Sequence, residues 1–173
     1  MTPLRYAAGP TAEAEVHIDA PPAAVWALVS DIELPARFSS EFLGAHWLDG
    51  APPALGARFR GRNRHPAVGE WETTCTVVGY EPQRLFAWAV DDPRHPMSSW
   101  RFELKPDAEG TRLRQWMRLG PAPSPVSRAI AAMPDKEERI VARRLAEHQA
   151  NMQATLAGIK ALAEGREPVT RSR

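Results

Sequence analysis

Cysteine is nearly absent from this chain. Cys75 is the only one in 173 residues, so no disulfide can form within it, and a reducing compartment is favoured. Metal-ligand spacing is missing too. The five histidines (His17, His46, His65, His95 and His148) form no HxxxH or HExxH and no CxxC occurs, so we expect no metal and no cofactor. No glycine-rich phosphate loop is present, and no GxSxG that would mark an α/β-hydrolase. The longest apolar run, residues 23–29, is too short to span a bilayer. The opening MTPLRYAAGP lacks the apolar stretch of a signal peptide. Net charge is +1, which supplies no overall field toward nucleic acid or a membrane surface. These absences together lead us to expect a cytoplasmic protein with no membrane span and no nucleic-acid partner, its oligomeric state left open.

Periodicity is what the chain does have. Ala14, Val16 and Ile18 alternate with Glu13, Glu15 and His17, the pattern of a strand with one wet face. Pro22 opens a short helix carrying Val25, Trp26 and Val29, and Asp31 is placed to cap another turn reaching Phe38. From Phe42 onward the period of two returns, predicting strands at 42–48, 57–64, 71–80, 85–90, 99–105 and 111–119. Turn residues separate them: Asp49-Gly50-Ala51-Pro52-Pro53, Gly79 with Glu81-Pro82, Asp91-Asp92-Pro93, and 107–110. Close neighbours of this kind pair as antiparallel hairpins. A short helix over 126–132 follows, with Ser124 as cap and Pro125 at its first position. Asp135 and Glu138 then have capping-box spacing. After them Val141, Leu145, His148, Met152, Leu156 and Ile159 recur at helical steps, giving an amphipathic helix of ~40 Å at ~1.5 Å per residue that stops near Gly165. The fold class is α+β, in one domain over 11–164 with flexible tails at 1–10 and 166–173.

This inventory implies a hollow. One helix is ~10 Å across with its side chains, whereas seven strands at ~4.8 Å spacing make a much wider surface. The sheet must therefore curl around the helix, and the cleft so formed suits a small hydrophobic molecule. Inward parity assigns Trp71, Thr73, Cys75, Trp100, Phe102 and Met117 to its walls, with Leu145 and Met152 from the helix.

Polar residues on those inward rows are the candidates for chemistry. His148 interrupts the helix's apolar stripe, either as an acid, base or hydrogen-bond donor in the cavity or as a core histidine bonded to a backbone carbonyl. Gln115 interrupts the row Leu113, Met117, Leu119, where its amide either orients a ligand carbonyl or serves a neighbouring side chain. Asn63 shares the inward parity of its strand. Cys75 has no adjacent cation in sequence, so it reads as a buried, inert thiol. Arg58, Arg60, Arg62 and Arg64 alternate along one strand, and Arg112, Arg114 and Arg118 flank Trp116 on another. Such interleaving can bind single-stranded nucleic acid, but with Glu70, Glu72 and Glu103 nearby it reads as a solvated, charge-balanced sheet face.

Longer segments resemble a known family. AEAEVHIDAPPAAVWALVSD is similar to the start of the START-like, Bet v 1-like (SRPBCC) superfamily, in its polyketide cyclase/dehydrase branch. GARFRGRNRHPAVGEWETTCTVVGYEP and GTRLRQWMRLGP resemble its middle and last strands, and PDKEERIVARRLAEHQANMQATLAGIKALAE its terminal helix. The resemblance covers residues 11–164. It implies a helix-grip fold: a curved seven-stranded antiparallel sheet, two short helices and a long C-terminal helix enclosing a cavity. It implies a polyketide- or lipid-like ligand, with aromatisation or cyclisation as the reaction if there is one; the inward polar residues His148, Gln115 and Asn63 are the ones we expect to perform it. A non-catalytic carrier or sensor and a protein- or RNA-interaction module are the alternatives. The family has no invariant catalytic set to transfer. Glu41, in RFSSEF, matches an acidic residue that relatives carry after the second small helix, with Phe38 and Ser40 where they have Trp and Pro. A capping or salt-bridge role is its simplest reading.

Overall fold

Seven strands form one sheet in a computed structural model that describes residues 2–50 and 53–172. The strands are β1 (Thr11–Ile18), β2 (Phe42–Trp47), β3 (Arg58–His65), β4 (Gly69–Glu81), β5 (Leu85–Val90), β6 (Ser98–Asp107) and β7 (Gly110–Leu119). Their order is β1-β7-β6-β5-β4-β3-β2, and every pairing is antiparallel. Strands β2 to β7 are thus a meander, and β1 closes beside the last of them. Helix α1 (Pro22–Val29) follows β1, and α2 (Pro125–Ala132) and α3 (Glu137–Ala163) follow β7. The sheet, the short helices and the long terminal helix are those expected. The expected turn at 49–53 includes residues 51 and 52, which lie outside the described residues. No helix among the described residues is long and apolar enough to cross a membrane.

The period of two sorts each strand. On β7, Leu113, Gln115, Met117 and Leu119 are buried while Arg112 and Arg118 are exposed. The outward arginines find acids: Arg60 with Glu72 at 3.7 Å, Arg112 with Glu15 at 2.7 Å and Arg114 with Glu103 at 3.0 Å, with Arg64 also bonded to Glu70. Each such exposed pair contributes roughly 0–1 kcal/mol. Arg101 lies over the Trp116 ring, 4.2 Å from its centroid.

Helix ends follow local chemistry, with two corrections. Ser124 caps α2 as expected. Its Oγ accepts from the Ser127 N–H at 3.3 Å, and the Ser127 Oγ accepts from the Ser124 N–H at 2.7 Å. The capping box expected at Asp135 and Glu138 does not form. Pro134–Lys136 makes a tight 3-10 turn, and α3 starts after Lys136 with no side-chain cap. Glu137 instead holds the N-terminal segment, accepting from the Tyr6 N–H at 2.9 Å and Arg5 at 2.6 Å. The second short helix shrinks to a 3-10 turn, Leu34–Arg37, because Pro35 cannot donate to a longer one. Gly165, at φ +74°, ends α3 in a Schellman motif: its N–H reaches the Leu162 carbonyl at 3.1 Å and that of Arg166 reaches Ala161 at 2.7 Å.

Helix α3 runs along β1 and across the concave face, burying Val141, Met152, Leu156 and Ile159. Gly158 admits the Phe38 ring so closely that a Cβ there would stand 2.4 Å from it. Beyond α3 the chain returns to the turn before β2. The Arg171 N–H donates to the Arg37 carbonyl at 3.0 Å, and its guanidinium donates to the carbonyls of Ser39 and Phe42.

Candidate functional site

Between the curled sheet and α3 lies a cavity of ≈ 500 Å³, a size common for small-molecule sites. Its sheet wall is aromatic. Trp88 and Trp100 stand directly opposite one another in the β5–β6 register and stack with centroids 6.2 Å apart and planes 4° apart. Phe59 and Phe102 flank Trp88 at 6.2 and 5.9 Å. Helix α3 contributes His148, Met152 and Thr155, one face of the helix at four- and three-residue steps. Val126 and Ala129 of α2, with Met133 just after it, roof one end.

The polar candidates all reach this space. The His148 ring stands edge-on to Trp100, centroids 5.1 Å apart, and neither of its nitrogens has a hydrogen-bond partner among the described residues. The expected alternative of a histidine tied to a backbone carbonyl is not what is found. Burial, then the charges of Arg144 and His65, push its pKa well below the ordinary 6.5, so the imidazole is neutral near pH 7. Gln115 faces the cavity from β7 opposite Phe102, and its buried Oε1 has no partner among the described residues. Asn63 lines the far wall from β3, and the buried Thr155 faces it from the helix; neither side chain has a partner among the described residues. These groups do not bond to one another. Three strands separate Asn63 from Gln115, about 19 Å along the sheet at ~4.8 Å per strand.

Of the expected apolar lining, Trp71, Thr73, Cys75, Trp100, Phe102 and Met152 border the cavity. Met117 and Leu145 do not. Met117 is fully buried in a side cluster with Leu119 and Met152, and Leu145 packs on that cluster beside Tyr6 and Ala12, behind the cavity wall. The β1 side of the sheet is where α3 packs directly. Burial raises the Cys75 thiol to about 12, and its contact with the Thr73 hydroxyl is long, at 3.9 Å. It is no nucleophile at neutral pH.

An ionic network that periodicity concealed closes one end. Arg144 forks onto both carboxylate oxygens of Glu41, at 2.7 and 2.5 Å, and also reaches Glu147 at 3.1 Å. Glu147 further meets His65 at 3.0 Å and Arg143 at 3.2 Å. Burial would raise the Glu147 carboxyl, but Arg144, His65 and Arg143 hold it below its ordinary value. The network ties α3 to the approach of β2 and the end of β3. Its only sequence signal was Glu41, since Arg144 and Glu147 look like members of a solvated helix face. Trp88 was also missed: β5 is buried on nearly every residue, so it lacks an alternation to read. Among the described residues no three His, Cys, Asp or Glu side chains gather as metal ligands.

Comparison with known proteins agrees with this architecture. The family model described as polyketide cyclase / dehydrase and lipid transport matches residues 10–164. The chain is similar to a polyketide-cyclase-like protein of Corynebacterium glutamicum solved by NMR, at 30% identity and TM-score 0.64, covering 89% of this chain and 91% of that one. It also resembles BexL, a di-domain aromatase/cyclase of the BE-7585A biosynthetic pathway, at 19% identity and TM-score 0.66, covering 91% of this chain and 50% of that one. The crystal structure of Ara h 8.0201 shares the fold at 14% identity and TM-score 0.50, covering 85% of this chain and 97% of that one. No curated protein matches the sequence. The cavity, the helix-grip topology and the family match over most of the chain lead to one assignment: the protein belongs to the polyketide cyclase / dehydrase and lipid transport family.

Proposed function

We propose that the protein binds a small, mainly apolar molecule, polyketide- or lipid-like, in the cavity between the sheet and α3. One observation carries this reading. Asn63, Gln115, His148 and Thr155 border an aromatic-walled space, and the Gln115 Oε1 is buried there with no partner among the described residues. Buried polar groups left this way cost free energy unless something satisfies them. A ligand with a greasy body and a few oxygens does so, and Trp88 and Trp100 offer a flat surface for its body.

A second reading adds aromatase/cyclase chemistry, the activity named for BexL. Its support is His148, a neutral imidazole with free nitrogens in the cavity. There it takes a proton from the carbon beside a ligand carbonyl. The enol so formed attacks a second carbonyl of the same chain, a carbon–carbon bond forms, and the attacked oxygen takes up a proton. Loss of water then gives the ring. The Gln115 amide donates to the enolising oxygen, and the aromatic walls hold the chain folded.

Native mass spectrometry of freshly purified protein tests the binding reading. One equivalent of an extractable apolar molecule supports it. Absence of any such molecule, with no saturable uptake of apolar probes, refutes it. Incubation with a linear poly-β-ketone thioester separates the two readings: a product lighter by water supports catalysis, and unchanged recovery leaves a carrier.

A further inference from the structure

The charges around the cavity carry an inference that rests on the ligand-binding reading and narrows it. Three carboxylates border the space (Asp31, Glu41, Glu147) against two guanidiniums (Arg143, Arg144). Both guanidiniums already have a carboxylate partner. Arg144, with 16% of its side chain exposed, already serves Glu41 through both nitrogens and Glu147 through one. Arg143 is mostly in solvent and bonds to Glu147. His65 is taken by the same carboxylate, and burial keeps His148 from supplying a charge. Every cavity group left without a partner is neutral: the amides of Asn63 and Gln115, the imidazole of His148 and the hydroxyl of Thr155.

An anionic ligand would leave water for a space whose buried cation, Arg144, is already committed to carboxylates, and which carries an excess of negative charge. A buried charge needs a partner of opposite sign. Neutral oxygens meet donors and acceptors that suit them, since amides and hydroxyls offer both. We propose that this cavity selects uncharged ligands bearing hydroxyl or carbonyl oxygens and excludes carboxylates and phosphates, with Glu41 and Glu147 determining that specificity by occupying Arg144.

Retinol and retinoate test this, because they share one apolar body and differ in a hydroxyl against an ionised carboxylate. Binding of each is followed by quenching of tryptophan fluorescence at a pH where retinoate is fully ionised. The expected result is retinol binding at least tenfold tighter than retinoate. In Glu41→Gln one edge of Arg144 is released, and that ratio is expected to fall at least threefold. Retinoate binding as well as retinol in the parent protein overturns the selectivity while leaving the ligand-binding reading intact. Failure of both to bind overturns both. A folded Glu41→Gln variant with an unchanged ratio overturns the role given to Glu41, and where that variant does not fold the parent ratio decides.

Discussion

Replacing Gln115 by methionine separates a ligand-facing amide from a packing one. Gln115 is 6% exposed, sits among buried Leu113, Met117 and Leu119, and has an Oε1 with no hydrogen-bond partner among the described residues. A buried polar atom left unpaired costs about 1–3 kcal/mol. Methionine keeps the unbranched shape and removes both polar atoms, so overpacking is small. The ligand-free variant should therefore be more stable than the parent, by about 1–2 kcal/mol once imperfect filling is allowed for. For a chain of this length that raises the melting midpoint by roughly 2–8 °C. The same variant should bind its ligand more weakly, because an oxygen loses its donor. Thermal melts followed by circular dichroism on ligand-stripped protein measure the first effect, and probe titration the second. A variant less stable than the parent would refute the reasoning, since the amide would then be serving the fold.

Other predictions probe the frame. Gly158→Ala forces a methyl against the Phe38 ring and should destabilise by about 1–3 kcal/mol in urea unfolding; an unchanged midpoint would mean the ring moves freely. Lys160, Arg166 and the Asp19 N–H hold the Glu164 carboxyl down at about 2 from 4.5. Its folded value is depressed, so its stabilisation is present above pH 4.5 and is lost as pH falls through about 2. The stability gap between the parent and Glu164→Gln should therefore close over that window, and a gap that is constant with pH would contradict the assignment. Cys75 should react with thiol reagents at neutral pH only as fast as the protein opens; prompt labelling of the folded protein would refute its burial.

Much of the fold was legible in the sequence because its elements carry one strong period each. Strand β7 alternates cleanly, and Ser124 and Gly165 announce their helix ends by chemistry that needs no partner from elsewhere in the chain. Pro134 hid the true start of α3, where a 3-10 turn displaced the capping box. In the site, parity found the walls but not their depth. Met117 and Leu145 point inward like Trp100 and Met152, yet they fall where α3 packs on the sheet rather than where the two diverge. That difference is set by curvature, which no local pattern encodes. The Arg144 network was invisible for a related reason: its acids come from 103 residues away and from the next turn of its own helix.

Xenon-pressurised crystals test the central claim most directly, because apolar voids take up the gas. The account predicts xenon between the Trp88–Trp100 wall and Met152 and Thr155 of α3. A xenon-free interior, with those side chains in van der Waals contact across the whole span, would contradict it.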